Sequence, residues 1–265
     1  MDILFWYKLG LSFIIGGAWV TVSTIAAEKF GSIVGGLLAG FPSTVAVALF
    51  FIGATQSAVV ASNSTTVIPM THGVNGLFLL IFILLIDKGL FISLFAAFFV
   101  WFGNAFILSV TGINNFLISI LVWLILFFFT FYITEKVIKI NKQGKIKLHF
   151  SKRQVAVRAL FGGSVIAFAV FIGKVSGPTL GGVFSTFPAM FTSTLIVTHL
   201  SGGAVFSKAV AKSMLFSGLI NVTLYVIVVR YLYLWIGIYY GTAIALVIAM
   251  GIGYLTYIIM KTKLT

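Results

Sequence analysis

Apolar segments of about 20 residues follow one another along almost the whole chain, and short polar breaks separate them. A helix of this length crosses the hydrocarbon core of a bilayer, whereas a membrane barrel would show alternating apolar and polar residues. The pattern predicts an all-α polytopic membrane protein with about nine transmembrane helices. The first segment is too long for a signal peptide, and we expect it to remain in the protein as the first span. The predicted spans are 3–27, 31–56, 65–86, 89–110, 114–134, 154–173, 177–199, 208–229 and 239–260.

The basic residues indicate how the chain is oriented. The single long polar segment, residues 135–153, is rich in lysine and arginine. Cytoplasmic loops collect these residues, so we place this loop in the cytoplasm, with the N-terminus outside and the C-terminus inside. With nine spans, most other lysines near span ends also fall inside. We expect an integral membrane protein of a prokaryotic plasma membrane.

Two segments share a pattern of glycine followed by Phe-Pro. GSIVGGLLAGFP begins at Gly31 and GPTLGGVFSTFP begins at Gly177, and they align without a gap at a separation of 146 residues (177 less 31). Each segment is the second predicted span of its half. Because five predicted spans precede the second half, that half enters the membrane from the opposite side. Proline breaks a helix because it lacks a backbone donor. The sequence therefore predicts two inverted-topology repeats with Pro-broken helices at the centre, as in many secondary transporters.

The repeat defines the expected organisation of the chain. Residues 1–110 form an N-terminal repeat of spans 1 to 4, and residues 111–134 form a linking span. Residues 135–153 form the basic cytoplasmic loop. Residues 154–265 form the C-terminal inverted repeat, which contains spans 6 to 9.

The stretches GGLLAGFPSTVAVALFFIGATQS and GGVFSTFPAMFTSTLIVTHLSGG each resemble the conserved stretch of GlpM-like small inner-membrane proteins. Those proteins are chains of about four helices with a Gly-rich segment that ends in Phe-Pro. The resemblance covers roughly 25 residues of each half and implies that each half is one such unit. This chain differs in being fused and in having an extra span. Because the function of that family is poorly defined, the resemblance implies an architecture rather than an activity.

Composition narrows the functional classes. Charged residues make up 8% of the chain, against about 25% in soluble domains. The chain has no cysteine, and its 4 acidic residues all lie near predicted span ends. Ser/His/acid, paired-acid and HExxH sets are missing, so we expect no enzyme activity, no catalytic or metal site and no cofactor. The 17 basic residues are expected to meet lipid head groups rather than nucleic acid.

The candidate substrate site lies at the two predicted breaks, where free backbone N–H groups and hydroxyls can bind a solute. Hydroxyls in membranes also commonly bond to another helix or to their own backbone, so that alternative stays open. The candidate substrate-binding residues are Phe41, Pro42, Ser43, Thr44, Phe187, Pro188, Ala189, Thr192 and Ser193. The glycines expected to act in packing or as hinges are Gly35, Gly36, Gly181 and Gly182.

Among the other polar residues within predicted spans, two have specific candidate roles. His72 is a candidate gate or proton relay, and a hydrogen-bonded structural histidine is the alternative. Arg158 is expected to extend its side chain to the cytoplasmic surface, and anion binding is the alternative.

The leading functional prediction is a secondary transporter or facilitator of a small solute. Backbone dipoles and a basic chain favour an anionic or zwitterionic solute. The alternatives are an ion or solute channel built on the same broken helices, and a scaffold or lipid-interacting protein without transport. The expected partners are the lipid bilayer, a small-molecule substrate and a coupling ion, with a homodimer as an option.

Overall fold

The structure, a computed structural model, describes residues 1–39, 41–140 and 151–262, without the side chains of residues 23, 24, 26–39 and 261. This part of the chain is helical and contains no strand, which confirms the all-α prediction. Short 3-10 turns follow the third and fourth helices, and a π-helical turn extends the sixth. The helices are α1 Ile3–Ala39, α2 Ser43–Thr55, α3 Ala58–Ser64, α4 Ile68–Leu85, α5 Leu90–Thr111, α6 Phe116–Tyr132, α7 Lys152–Val175, α8 Pro178–Ser185 and α9 Ala189–Thr262.

Several of these helices are long and apolar enough to cross a membrane, so the protein is an integral membrane protein. Within the described residues, six segments meet this criterion, and α2 is a shorter apolar helix. The six segments are 3–22, 58–88, 90–111, 116–137, 152–175 and 178–260.

The last of these segments contains more than one crossing length because α9 bends twice. Gly203 and Gly237 adopt φ values of 69° and 79°, which glycine reaches at little cost. Across the second bend, the Tyr233 Oη and Thr242 Oγ1 atoms lie 2.7 Å apart. Nine residues of straight helix would separate them by roughly 13 Å, so the chain reverses at Gly237. Both bends fall in the predicted breaks around residues 200–207 and 230–238.

The sequence predicts that the first Pro-broken span begins at Gly31, but in the structure that residue lies inside α1. The predicted boundary at residues 28–30 lies within α1, and the side chains there are outside the described residues. However, the rings of Trp19 and Phe41 stack with their centroids 6.3 Å apart. Twenty residues of straight helix would span about 30 Å, so α1 cannot be straight between Trp19 and Ala39.

Helices α1 and α7 pack closely through glycine. A methyl group at Gly163 would lie 2.6 Å from the carbonyl oxygen of Phe13, and one at Gly17 would lie 3.0 Å from that of Ala159. Later residues of one helix meet earlier residues of the other, so the two run antiparallel. Glycine removes the side chains that would hold the two backbones apart. The two contacts exchange when each position moves by the 146 residues of the sequence repeat.

At one end of the molecule, ion pairs join α9 to two other helices. Lys208 Nζ lies 2.5 Å from Asp87 Oδ2, beyond the end of α4. One helical turn further, Lys212 Nζ lies 2.6 Å from Glu135 Oε2, in the π-helical turn after α6. The start of the predicted cytoplasmic loop therefore lies at the same end as these lysines.

At the opposite end, two cations bind backbone oxygens. Arg230 Nη1 donates to the oxygen of Ser62 at 3.2 Å and also bonds to two threonine hydroxyls of the first 3-10 turn. Lys8 Nζ donates to Ala54 O, near the C-terminus of α2, at 2.5 Å. A cation at this position offsets the negative end of the α2 dipole.

Replacing Gly163 with alanine should destabilise the fold, because the new methyl group would collide with the backbone of Phe13. We expect a loss of about 1–3 kcal/mol in the free energy of unfolding, typical of overpacking. Denaturation in mixed micelles, followed by circular dichroism, measures it. The matched control is Gly103→Ala in α5, where a methyl group would meet no atom within 4 Å. Equal losses in both variants would contradict the close approach of α1 and α7.

Candidate functional site

The two Phe-Pro breaks have the same backbone geometry. At both Phe41-Pro42 and Phe187-Pro188, the residue after proline donates its N–H to the phenylalanine oxygen at 2.7 Å. The residue four positions after proline donates to the proline oxygen at 2.7 Å in the first break and 2.8 Å in the second. A helix therefore starts directly after each proline: α2 in the first half and α9 in the second.

At the second break, the carbonyl groups that end α8 find donors. The N–H groups of Thr186 and Phe187 each donate to carbonyl oxygens of α8 at 3.1 Å. The Thr186 oxygen accepts from Asn75 Nδ2 at 2.8 Å. These bonds satisfy acceptors that a helix C-terminus leaves free. The negative end of α8 is therefore largely compensated.

The donors that follow the breaks are not compensated in this way. Among the described residues, the N–H groups of Val45, Met190 and Phe191 have no hydrogen-bond acceptor. All three lie in the first turn of α2 or α9, where a helix carries free donors and the positive end of its dipole. Two helix N-termini with free donors therefore face the region between the breaks.

A small cavity lies between these two N-termini. Its volume is about 20 Å³, which is room for one or two water molecules. The residues that line it come from both breaks and from α4 and α9. They are Phe41, Thr44, Val45, His72, Asn75, Thr186, Phe187, Pro188, Met190, Phe191 and Val222.

His72 and Asn75 connect the cavity to both halves of the chain. His72 Nε2 lies 3.1 Å from the oxygen of Gly218, which can only accept, so Nε2 carries the proton. The other ring nitrogen, Nδ1, then accepts from Asn75 Nδ2 at 3.1 Å. The neutral ring is held by a bond on each side, and it links α4 to α9. This is the arrangement of a hydrogen-bonded structural histidine.

The structure brings together some of the predicted site residues and not others. Those that line the cavity are Phe41, Thr44, His72, Phe187 and Pro188. Those that do not line it are Pro42, Ser43, Ala189, Thr192 and Ser193.

The hydroxyls outside the cavity have varied surroundings. Thr192 Oγ1 donates to Pro188 O at 2.7 Å, and Ser193 Oγ donates to Met190 O at 3.2 Å, so both bond to their own helix. Ser43 Oγ is buried and has no partner among the described residues.

The predicted hinge glycines lie in the helices before the breaks. A β-carbon at Gly181 would lie 2.8 Å from the Cα of Gly173, and one at Gly182 would overlap the oxygen of Ser64. Both positions are therefore close backbone contacts. Gly35 and Gly36 belong to α1, and their surroundings lie outside the described residues.

Sequence reasoning left Asn75 out of the site, although the repeat carries a signal for it. Position 75 moved by the 146 residues that separate the two Phe-Pro segments is Asn221, so the same residue type recurs at the matching position. Both side chains are buried. Extending the repeat alignment beyond the Phe-Pro segments would have identified this pair.

The prediction that Arg158 reaches the cytoplasmic surface is wrong. Its side chain is only 5% exposed, and Nη2 donates to Thr194 Oγ1 at 3.1 Å. The guanidinium group points toward α9, where a protein hydroxyl accepts from it, rather than toward the head groups.

The comparisons with known proteins add no function. No family model, curated protein or solved structure matches the chain. In the described ranges, no three His, Asp or Glu side chains are grouped so as to hold a metal ion.

Replacing Asn75 with leucine should destabilise the second break, because Thr186 O and His72 Nδ1 would both lose their donor. We expect a loss of about 1–3 kcal/mol in the free energy of unfolding. The control is Asn104→Leu, since the Asn104 amide nitrogen makes no hydrogen bond within the described part of the chain. Denaturation in micelles compares the two variants. A larger loss for Asn104→Leu would contradict the role given to Asn75.

Proposed function

We propose that the protein is a secondary transporter or facilitator of a small anionic or zwitterionic solute, bound near the middle of the membrane between two broken helices. The observation that carries this proposal is the pair of helix N-termini, with free N–H groups, on one shared cavity. Free backbone donors inside a membrane are tolerated where they line a cavity. Such donors and the dipoles behind them favour a negatively charged group.

The two sides of the cavity are related by the sequence repeat, which supports an architecture of two inverted repeats. Phe41 and Phe187 are 146 residues apart, and the same separation relates Thr44 to Met190. All four line the cavity. The antiparallel, exchanging contacts of α1 and α7 agree with a pseudo-two-fold axis in the membrane plane, the symmetry of many transporters. Each half would then correspond to one GlpM-like unit.

The contacts at the two ends of the molecule support the proposed topology of nine spans. The pairs of Lys208 and Lys212 with acidic residues lie at the end where the basic loop begins, which we assign to the cytoplasm. The contacts of Lys8 and Arg230 lie at the other end, which we assign to the outside.

The small volume of the cavity favours a transporter over a permanently open channel. A space for one or two waters holds a compact group but does not provide a wide path. Solute passage then requires a conformation in which the cavity opens to one side, which is the behaviour of an alternating-access protein. A coupling ion remains part of the proposal.

Single cysteines at Thr44 and Met190 test the proposal, because the native chain has no cysteine. Both positions line the cavity, so water must reach them during transport. We expect a membrane-impermeant thiol reagent to label both in vesicles, at rates that differ between the two sides of the membrane. Labelling should slow when the transported solute is present.

The matched controls are Leu49→Cys and Leu195→Cys, which occupy equivalent, fully buried positions one to two turns deeper in α2 and α9. These should stay unlabelled. If Thr44→Cys and Met190→Cys are also unlabelled in folded protein, the breaks are packed core and the transporter proposal fails. Equal, rapid labelling from both sides at once would instead indicate a channel.

A further inference from the structure

We propose that the solute is a monocarboxylic acid with an apolar tail, which reaches the cavity from the bilayer between α5 and α7. This inference rests on the proposed function and adds the chemical class of the solute: an acid that is an anion in neutral water and takes up a proton when it binds in the cavity. Two features carry it: an unpaired acceptor beside the free donors of the cavity, and a group of aromatic rings between two helices that scarcely pack against each other.

The first feature is the Asn75 side chain. It lines the cavity, is 1% exposed, and its Oδ1 atom has no hydrogen-bond partner among the described residues. The orientation of the amide is fixed, because Thr186 O can only accept and so must face Nδ2. A buried acceptor without a partner is costly, and a bound group that donates a hydrogen would relieve that cost.

A ligand that both donates and accepts would satisfy the unpaired groups of the cavity. The free N–H groups of Val45, Met190 and Phe191 require an acceptor, and Asn75 Oδ1 requires a donor. A carboxyl group in its acid form provides both, since its hydroxyl donates while its carbonyl oxygen accepts. A fully ionised anion would leave Asn75 unpaired. No carboxylate side chain is among the residues that line the cavity, so nothing there repels such a group.

The second feature is the surroundings of Phe187, which forms one wall of the cavity. Its ring centroid lies 5.6 Å from that of Phe98 and 6.1 Å from that of Phe102, both in α5. On the other side it lies 6.0 Å from the ring of Phe161, in α7. We call these four rings the aromatic slot.

The aromatic slot faces the lipid. Phe102 is 50% exposed and Phe161 is 37% exposed, and α5 and α7 scarcely pack against each other. The ring of Phe187 is thus placed between the hydrocarbon of the bilayer and the polar cavity. A tail that lies against the slot would contact the apolar rings, while a head group beyond Phe187 would meet the donors. A phosphodiester head is too large for space that holds one or two waters.

Quenching of Trp101 fluorescence tests the proposal directly. Trp101 is buried, and its ring centroid lies 5.0 Å from that of Phe187, so a molecule in the slot would lie close to it. A variant in which Trp101 is the sole tryptophan would be placed in vesicles of unbrominated phospholipid. A straight-chain fatty acid brominated at mid-chain should quench it saturably, and the unbrominated acid should reverse the quenching. The other tryptophans, each replaced by phenylalanine, are Trp6, Trp19, Trp123 and Trp235.

The matched control keeps Trp235 alone, which is 79% exposed and should report bulk lipid without saturation. A brominated methyl ester of the same chain should not compete at Trp101. If the ester binds as well as the acid, or if brominated phospholipid quenches Trp101 and the fatty acid does not displace it, the carboxyl head is wrong. Absence of saturable quenching at Trp101 overturns the whole inference. Should the single-tryptophan variant fail to fold, a photoreactive fatty acid on the native chain must cross-link to residues 184–191.

A proline at position 190 tests the backbone donor. Met190→Pro removes one free N–H in the first turn of α9, where proline is tolerated, as at Pro69 near the start of α4. We expect fatty-acid affinity to fall about tenfold, the value of one hydrogen bond to a polar head group. Met190→Leu keeps the N–H and nearly the same volume, so it is the reference against which the loss in Met190→Pro is measured. Equal affinities in the two variants would show that this donor does not bind the head.

These results separate the two proposals. If fatty acids fail to bind while Thr44→Cys and Met190→Cys still label from water and a hydrophilic anion is transported, the tail is wrong and the transporter proposal stands. If fatty acids bind at Trp101 but reconstituted protein moves no solute, the binding site stands and the transporter proposal fails.

Discussion

The structure depends on one constraint: inside hydrocarbon, each backbone N–H and C=O group needs a partner within the protein or a wet cavity. Continuous helices meet it along their whole length, but a Phe-Pro break does not. At the second break, turns and the Asn75 amide satisfy the acceptors of α8, while donors at the start of α9 stay free. The cavity is therefore lined by free backbone donors rather than free backbone acceptors. Its chemistry follows from the way in which the helix is interrupted.

The same constraint explains why the breaks occur together. A single interrupted helix would expose its free donors to lipid, whereas two that meet can enclose them. The glycine contacts of α1 and α7 bring the halves close enough for this, and Lys8 binds the far, negative end of α2. Close packing, dipole compensation and the central cavity are therefore parts of one arrangement rather than separate features.

The sequence was informative where the physics is local and periodic. Apolar lengths predicted an all-helical membrane protein, and the glycines at 203 and 237 fall in predicted breaks. The Phe-Pro pattern led to both walls of the cavity, through Phe41 and Phe187. Side-chain direction was harder, because Arg158 and Asn75 are oriented by partners far away in the chain. No local pattern states that an arginine near a span end will turn inward.

The contact of His72 with Gly218 has a consequence for how such a protein can arise. The two positions are 146 residues apart, so in the proposed repeat each is the counterpart of the other. In an antiparallel dimer of identical units, any residue beside the axis would face a copy of itself, and two imidazole rings would compete for the space of one. A fused chain escapes that restriction. It can place an imidazole ring on one side of the axis and a glycine backbone oxygen on the other. The two sides of its centre then differ in chemistry.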